Sequence, residues 1–326
     1  MIKKYWFFIG IACVLCIAFT LPEVGRVVRA YKVLNIGIFF AFFLTGLSLE
    51  TSSFLEQLKN IKVLTAALFS SLIFFPVVAY TLGRYVFFEW PDFALGSLII
   101  GVAPVTVASG TVMTAMALGN VPLSLFICVL GNFFSILTIP IMISLLLQMG
   151  DVSIELPAVQ MLLGLTLKVL VPVVMGQILR PWLKSKIIPY AKAISIFNQS
   201  IVLLIILNAV SSSTNRIVEA GPALFLVFLF MIGLHIFIIL ANKLTAGLIG
   251  LDLPSTAAFT IHTSQKTLTI SYLVWAGYFT TAYPMALIPG IAYHLTQMIM
   301  DTFVAQWFRG KMESWLISTK AGAVVE

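Results

Sequence analysis

Residues 222–248 read PALFLVFLFMIGLHIFIILANKLTAGL, an almost unbroken apolar run. A helix that crosses the hydrocarbon core of a bilayer needs about 20 mostly apolar residues, so this stretch is long enough to span a membrane. The whole chain of 326 residues has the same character, since 60% of it is hydrophobic, 10% is charged and its mean hydropathy is +1.08. Soluble domains carry about 25% charged residues. The sequence therefore predicts an all-α integral membrane protein.

Division of the chain at charged residues, Pro and Gly predicts ten membrane-spanning helices. They lie near residues 5–21, 33–49, 63–87, 93–117, 121–148, 157–180, 193–212, 222–248, 254–279 and 283–308. A polar segment, residues 150–155, separates the fifth span from the sixth. The first run follows Lys3 and Lys4 like a signal peptide but lacks a small-residue cleavage site, so we expect it to be retained as a helix.

The distribution of Lys and Arg predicts the orientation, because cytoplasmic loops are enriched in these residues. Most of the cations between the spans fall on one side if the N-terminus is cytoplasmic. We therefore expect both termini in the cytoplasm, with the protein in the plasma membrane, or in the inner membrane of a bacterium. Orientation and contact with the lipid bilayer also explain the net charge of +7, so no nucleic-acid partner is expected.

The polar segment suggests two five-helix repeats, residues 1–150 and 151–310, followed by a cytoplasmic tail, residues 311–326. An odd number of helices per half inverts the second half relative to the first, as in many transporters. The fourth span contains Pro104 and Gly110 among hydroxyl residues, and the ninth contains the polar run of residues 262–269. Interruptions at matching places in two halves indicate a transport site. The pattern predicts a secondary transporter.

Lys266 lies near the middle of the ninth span, where a charge costs at least about 2.5 kcal/mol on insertion scales. Its ammonium could hold an anionic substrate or exchange a proton during transport, or it could snorkel or pair structurally. His262 precedes it by one helical turn and would share its face on a continuous helix. The two could form a titrating pair, or a neutral His262 could bond to a backbone carbonyl.

Four other ionisable residues lie inside apolar spans. His235 and His294 are expected to be structural, with His294 the better placed to reach a cavity. Asp301 could sit at the membrane interface or pair with a basic group. Lys168 could line a cavity or snorkel to the interface.

Ser124, Cys128 and Asn132 recur at four-residue spacing on one face of the fifth span, and Asn132 is expected to line a cavity or bond between helices. Cys13 and Cys16 form a CxxC pair without further ligands in an apolar run, so no metal or redox site is expected. The sequence has no HExxH motif, Walker loop or paired intramembrane aspartates. We therefore expect neither an enzyme nor a cofactor.

Several strings spread over almost the entire chain carry a family resemblance. They are FAFFLTGLSL at 40–49, APVTVASG at 103–110, GNV at 119–121, GQILRPW at 176–182 and SQKTL at 264–268. Together they resemble the bile acid:sodium symporter superfamily, in its SBF-like branch related to the divergent seventh member of vertebrate solute carrier family 10. The resemblance implies ten helices in a panel and a core domain, with broken fourth and ninth helices that cross.

The chain departs from the sodium-coupled members at the residues that bind sodium in them. The resemblance places Ile261 at the position of their acid and Lys266 at that of an Asn, and keeps Gln265. The other corresponding positions are Ser71, Gly110, Thr111, Ser124 and Cys128, of which Ser124 keeps the family residue. This implies that the Lys266 ammonium occupies space held by sodium in relatives. A residual sodium site could remain at Ser124 and Gln265.

We expect a secondary active transporter of a small organic anion, a monomer or homodimer, working by alternating access with Na⁺, H⁺ or no coupling ion. The alternatives are a sodium-coupled symporter of the bile acid family type, a non-transporting membrane regulator of ion (calcium) homeostasis, and an intramembrane enzyme. The residues expected to bind substrate or ion are Thr106, Ser109, Thr111, Ser124, Cys128, Asn132, His262, Ser264, Gln265, Lys266, Thr267 and His294.

Overall fold

The computed structural model describes residues 2–49, 60–106, 108–150 and 157–322, with side chains except at 2–5, 108 and 318–322. This part of the chain is helical and contains no strand. The helices are α1 (Ile2–Thr20), α2 (Glu23–Ala30), α3 (Val33–Ser48), α4 (Ile61–Val86), α5 (Pro91–Val102), α6 (Ala108–Met116), α7 (Val121–Met149), α8 (Ala158–Leu165 continued by Val171–Ile187), α9 (Ala191–Ala220), α10 (Pro222–Leu248), α11 (Leu253–Ser264), α12 (Leu268–Tyr278) and α13 (Ile288–Gly322).

Several of these helices suit a lipid environment. By length and composition, four continuous helical stretches could cross a membrane: Ile61–Val86, Val121–Met149, Ala158–Ala220 and Pro222–Leu248. The α1–α2 pair would add a fifth, although it bends by 101° at its break. Every apolar span predicted from the sequence coincides with a helix or a helix pair. The protein is a multi-pass membrane protein.

Proline shapes two of the long helices. A π turn, Ser70–Phe74, interrupts α4 just before Pro76, and a second π turn, Thr166–Leu170, interrupts α8 just before Pro172. Proline has no N–H to donate, and its ring crowds the carbonyl one turn earlier, so the helix widens locally. Each π turn therefore leaves a backbone carbonyl without its usual helical donor.

The helices pack in two groups. The first helix group comprises α1, α2, α3, α8 and α9, and the second comprises α4–α7 and α10–α13. In the first group, α3 crosses α8 where Gly46 faces the Val173 carbonyl and Gly176 faces the Phe43 carbonyl, too close for a Cβ. Gln177 Nε2 then donates to the Leu49 carbonyl at 3.0 Å, just beyond the end of α3. The strings at 40–49 and 176–182 thus form this close contact between α3 and α8.

The fourth and ninth predicted spans are each broken in the structure, as the sequence predicts. α5 ends at Val102 and α6 begins at Ala108, while α11 ends at Ser264 and α12 begins at Leu268. The Thr267 N–H donates to the Pro104 carbonyl at 2.9 Å, so the two breaks touch. Both breaks lie within the second helix group, and we call their meeting point the crossing.

The predicted boundaries at residues 150–151 and 310–311 stay predictions. α13 is continuous through Gly322, so the chain does not leave its helix at the start of the predicted tail, residue 311. Of the polar segment between the predicted halves, only Gly150 is described, and residues 151–155 lie outside the described residues.

Candidate substrate and ion site

The crossing brings four helix ends to one place. α6 and α12 begin there, with N–H groups and a partial positive charge, while α5 and α11 end there, with free carbonyls and a partial negative charge. Side chains and backbone donors from neighbouring elements bond most of these carbonyls. The recorded pairs are Lys266 with Ala103, Thr267 with Pro104, Asn132 with Val105, Cys128 with Thr106, and Tyr293 with Ser264.

Lys266 is completely buried at the crossing. Its Nζ donates to the Ser71 carbonyl, to Ser71 Oγ at 3.2 Å and to the Ala103 carbonyl at 2.9 Å. It also lies 4.4 Å from the centre of the Phe75 ring, a cation–π contact. Three acceptors match the three N–H donors of an ammonium group. The side chain therefore neither snorkels nor presents its charge to a cavity.

The Ser71 carbonyl is free to accept from Lys266 because of the π turn in α4. Within that turn the Phe75 N–H bonds to the Ser70 carbonyl, five residues back. The corresponding donor for Ser71 would be the N–H of Pro76, which does not exist. The lysine ammonium supplies the missing donor, and at the same time it contacts the negative end of α5 at Ala103. This is a cation position made of helix carbonyls.

The backbone of Lys266 is fixed separately by α13. Its N–H donates to Gln297 Oε1 at 2.8 Å, and Gln297 Nε2 donates to its carbonyl at 2.9 Å. Since α11 ends at Ser264, Lys266 follows the helix and does not share a helical face with His262. The expected pairing of these two residues on one helical face is therefore wrong.

A chain of hydrogen-bonded polar groups runs from the crossing into α10 and α13, and its members Gln265, Asp301, His235 and Tyr293 are fully buried. Gln265 Oε1 accepts from Thr106 Oγ1 and from Ser109 Oγ at 2.8 Å. Gln265 Nε2 donates to Asp301 Oδ2 at 2.6 Å, and Asp301 Oδ1 lies 3.0 Å from His235 Nε2. Beyond it, His235 Nδ1 is 2.7 Å from Tyr293 OH, which donates to the Ser264 carbonyl at 2.6 Å.

A second polar cluster surrounds His262. Its Nδ1 is bonded to Ser124 Oγ, and Thr114 Oγ1 donates to the same serine oxygen at 3.1 Å. The imidazole lies against Gly110, where a Cβ would be 2.8 Å from its Cε1 and Nδ1 atoms. His262 Nε2 is buried and has no hydrogen-bond partner among the described residues. His262 thus bonds a hydroxyl, that of Ser124.

A cavity of about 250 Å³, which we call cavity A, lies between the two helix groups at the crossing. From the second group it is lined by Thr106, Ser109, Thr267 and His294, and from the first by groups that include Asn198. His294 Nδ1 is 3.1 Å from the side-chain nitrogen of Gln297, the residue that holds Lys266. Among the described residues, no Asp, Glu, Lys or Arg side chain lines cavity A.

Cavity B, of about 200 Å³, lies on another side of the crossing between α3, α7 and α8. Cys128 and Asn132 line it, so the face predicted on the fifth span does reach a cavity. Thr111 is half-buried on α6 and lines neither cavity. Lys168 is exposed on the π turn of α8, and the alternative that it lines a cavity is not supported.

Ser124 and Gln265, where a residual sodium site could remain, contact different residues. The Ser124 oxygen is bonded to His262 and Thr114, and the Gln265 oxygen accepts from Thr106 and Ser109. The two oxygens therefore bond different partners in this structure, and the residual sodium site stays a prediction. In the described part of the chain, no group of three or more His, Cys, Asp or Glu side chains could hold a metal.

Sequence reasoning missed the importance of Asp301 and His235. Asp301 lies in the interior of α13 and is fully buried, so it is paired with a basic group and does not sit at the interface. The available signal was its position as a carboxylate within an apolar span, which indicates function by default. Ser71 gave no signal of its own, because its role depends on the π turn before Pro76.

Comparison with known proteins matches the sequence of this chain to a transporter family. The chain is 27% identical to "Sodium/bile acid cotransporter 7-B" of Xenopus laevis, over 98% of this chain and 94% of the frog protein. It is 24% identical to "Sodium/bile acid cotransporter 7" of Rattus norvegicus, over 98% of this chain and 96% of the rat protein. It is also 27% identical to "Probable sodium/metabolite cotransporter BASS4, chloroplastic" of Arabidopsis thaliana, over 93% of this chain and 72% of the plant protein.

These relatives are transporters by name and cover the chain almost from end to end. The family model of the SBF-like CPA transporter family matches residues 5–310. That range includes both breaks, the Lys266 position and the buried chain through Asp301. The protein therefore belongs to the SBF-like CPA transporter family, a branch of the bile acid:sodium symporter superfamily.

Proposed function

We propose that this protein is a secondary active transporter of a small organic anion, which binds in cavity A and is moved by alternating access at the crossing. The observation that carries this proposal is the position of the Lys266 ammonium. It fills a cation position between the α4 π turn and the end of α5, bonded to the Ser71 and Ala103 carbonyls. The Lys266 ammonium thus provides at this position the positive charge that a bound cation would otherwise provide.

The chemistry of cavity A supports an anionic substrate. Thr106 and Ser109 lie at the start of α6, and Thr267 lies at the start of α12, so two helix N-termini face this cavity with their partial positive charges. The hydroxyl groups and His294 add hydrogen-bond donors to the lining, and a carboxylate or sulfonate can accept hydrogen bonds from them. At about 250 Å³ the cavity is smaller than the usual range of about 300–1,000 Å³ for drug-sized ligands, which favours a small acid.

The two helix groups supply the moving parts. We assign the first helix group as the panel and the second as the core of a ten-helix protein built from inverted repeats, residues 1–150 and 151–310. Both cavities lie between the groups, so a movement of one group against the other would open them to alternate sides. In this assignment both termini, including residues 311–326, are cytoplasmic in a plasma or bacterial inner membrane. The working unit is a monomer or homodimer.

Lys266 also bears on the coupling ion. A fixed ammonium at the cation position makes a sodium ion unnecessary there, and Ser124 and Gln265 have their oxygens engaged elsewhere. The proposed transport is therefore independent of sodium and driven by protons, or is uncoupled. A sodium-coupled symporter is the competing candidate, because the relatives' names describe sodium cotransport.

The test is counterflow in proteoliposomes with four labelled anions of increasing size: acetate, succinate, benzoate and taurocholate. A thermal-shift screen of the same acids selects concentrations, because a ligand that binds the folded state raises its stability. We expect exchange of at least one small anion with equal rates in Na⁺ and K⁺ buffers. Absence of exchange for all acids that stabilise the protein would favour a non-transporting regulator.

A further inference from the structure

Asp301 and His235 form a buried acid–base pair in the second helix group. Both side chains are completely inaccessible, and Asp301 Oδ1 lies 3.0 Å from His235 Nε2. Among the described residues, Asp301 is the only fully buried acid and Lys266 the only fully buried lysine or arginine. A carboxylate at this depth in a membrane protein is rare without a function.

The neighbouring hydrogen bonds determine where the protons of His235 lie. Tyr293 has one hydroxyl proton, and the Ser264 carbonyl, 2.6 Å away, can only accept it. The Tyr293 oxygen is therefore the acceptor toward His235 Nδ1, 2.7 Å away, and Nδ1 must carry a proton. The tautomer of His235 is thus set by the Ser264 carbonyl at the end of α11.

With Nδ1 protonated, the contact between His235 Nε2 and Asp301 requires a second proton. Either His235 is a doubly protonated imidazolium beside a carboxylate, or Asp301 is a protonated acid that donates to a neutral imidazole. Both forms have the same net charge of zero. Each holds one proton more than an ionised aspartate beside a neutral histidine.

Release of this proton to water would leave a net negative charge and turn the Nε2 lone pair toward a carboxylate oxygen. Both ends of the pair are bonded to the α11–α12 break, through Gln265 Nε2 to Asp301 and through Tyr293 to the Ser264 carbonyl. Gln265 in turn bonds Thr106 and Ser109, which line cavity A. Loss of the proton therefore weakens the hydrogen bonds that connect the pair, through Gln265, to the side chains lining cavity A.

The ionisable groups around the pair are compatible with a single exchangeable proton. Lys266 is saturated by three acceptors, and Lys243 on α10 lies over the Trp307 ring at 4.4 Å. α13 itself carries Tyr293 and His294, and α11 carries His262. On the other elements packed against α10 and α13, the ionisable side chains are Lys192, Arg216 and Glu219 on α9 and Tyr272 and Tyr278 on α12. On α4 after its π turn and on α5, the ionisable side chains are those of Tyr80, Arg84, Tyr85 and Asp92.

We propose that the Asp301–His235 pair is the proton-binding site of this protein, and that binding and release of its proton couples the transport cycle. This inference rests on the proposed function and deepens it, because it identifies the coupling ion as a proton. The resemblance places Ile261 at the position of the acid of sodium-coupled members. In this protein the carboxyl group would instead be that of Asp301 on α13.

Solid-state NMR in lipid bilayers tests the proton directly. The chain has three histidines, so ¹⁵N-histidine signals can be assigned with single variants, and ¹³C-labelled aspartate reports the Asp301 carboxyl. At neutral pH we expect one proton on His235 Nδ1 and a second on Nε2 or on the carboxyl. As the pH rises, the pair should lose only the second proton, in one step, while Nδ1 stays protonated. An ionised carboxyl beside a neutral His235 that is protonated only on Nε2 would overturn the proposal.

A transport experiment tests the coupling. Asn resembles a protonated Asp, because its amide can donate to His235 and accept from Gln265, so Asp301→Asn should fold and remain in the loaded form. We expect its accumulation driven by a pH gradient to fall by at least tenfold relative to counterflow of the same anion in the same preparation. Asp252→Asn, an exposed N-cap of α11, is the matched control and should keep both.

The outcomes separate the two proposals. Accumulation by Asp301→Asn at the wild-type level would overturn the proton site and leave the transporter proposal standing. Absence of counterflow in wild type would refute the transporter, while NMR would still decide whether the pair holds a proton. If Asp301→Asn fails to fold, His235→Gln replaces it, because Gln keeps one donor toward Asp301 and cannot hold the second proton. It should show the same loss of accumulation.

Discussion

Replacement of Lys266 by alanine should convert an internal cation into an empty cation position. The change leaves the Ser71 and Ala103 carbonyls buried without a donor, at about 1–3 kcal/mol each. It also removes three buried methylenes, worth about 0.8 kcal/mol each. Against this, the variant no longer has to bury an ammonium, which costs several kcal/mol. We expect a net loss of about 2–4 kcal/mol in the free energy of unfolding.

The vacated position should then bind sodium. It is lined by two carbonyls, the Ser71 hydroxyl and the face of Phe75, at the negative end of α5. At a Na⁺ concentration ten times the dissociation constant, the linkage relation gives about 1.4 kcal/mol of stabilisation. For a chain of this size that corresponds to a rise of a few degrees in Tm. Wild type should show no such rise, because its own ammonium fills the position.

The assay is thermal unfolding of purified protein in detergent, with NaCl or KCl at equal ionic strength. Lys243→Ala is the matched control, since Lys243 is exposed on α10 and contacts an aromatic ring instead of helix carbonyls. We expect only Lys266→Ala to become both less stable and sodium-responsive. Equal stabilisation of wild type by Na⁺ would refute the reasoning, and so would a Lys266→Ala protein as stable as the control in KCl.

Three further substitutions probe the crossing. Gly110→Ala should lower stability by about 1–3 kcal/mol in thermal unfolding, because the added Cβ would lie 2.8 Å from the His262 ring. Gln297→Leu removes both hydrogen bonds that fix the Lys266 backbone, and should lower stability by about 2–4 kcal/mol and slow counterflow at least tenfold. Asn132→Ala frees the Val105 carbonyl, and should cost about 1–2 kcal/mol and slow counterflow without changing its pH dependence.

Matched controls make these expectations specific. Gly247→Ala lies on α10, where no atom is within 4 Å of an added Cβ, and should leave stability unchanged or slightly higher. Gly110→Ala with the stability of Gly247→Ala would show that the His262 ring can move. Gln199→Leu, an amide at the rim of cavity A, should keep the wild-type stability that Gln297→Leu loses. If the Asn132→Ala variant shows wild-type counterflow, Asn132 is not part of the transport site.

Much of the fold could be predicted from hydropathy. The apolar run of residues 222–248 is a helix with nearly the same bounds, and Pro104 and the polar run after His262 mark two real breaks. These features depend on local composition and on missing helical donors, which a single sequence displays directly. The end of α13 could not be placed, because mixed residues after 310 continue a helix that hydropathy alone would end.

Several of the residues that meet at the crossing could be predicted from the sequence, but their hydrogen-bond partners could not. Gln265 and Lys266 are adjacent in sequence, yet one points to Asp301 and the other to Ser71. That divergence arises because residues 265–267 are extended and not helical, so helical spacing does not apply to them. The expected pairing of His262 with Lys266 failed for this reason. The partner Asp301 lies on a helix 36 positions later, which no local pattern could reveal.

The most direct test of the central claim is uptake by wild-type proteoliposomes in the complete absence of sodium. The anion that passes the counterflow screen is supplied outside, with K⁺ replacing Na⁺ on both sides and the membrane potential clamped by valinomycin. If Lys266 provides the cation of the crossing, the initial rate should be the same in K⁺ and in Na⁺. A rate that falls to the level of empty liposomes without Na⁺, and returns when Na⁺ is added, would contradict the account.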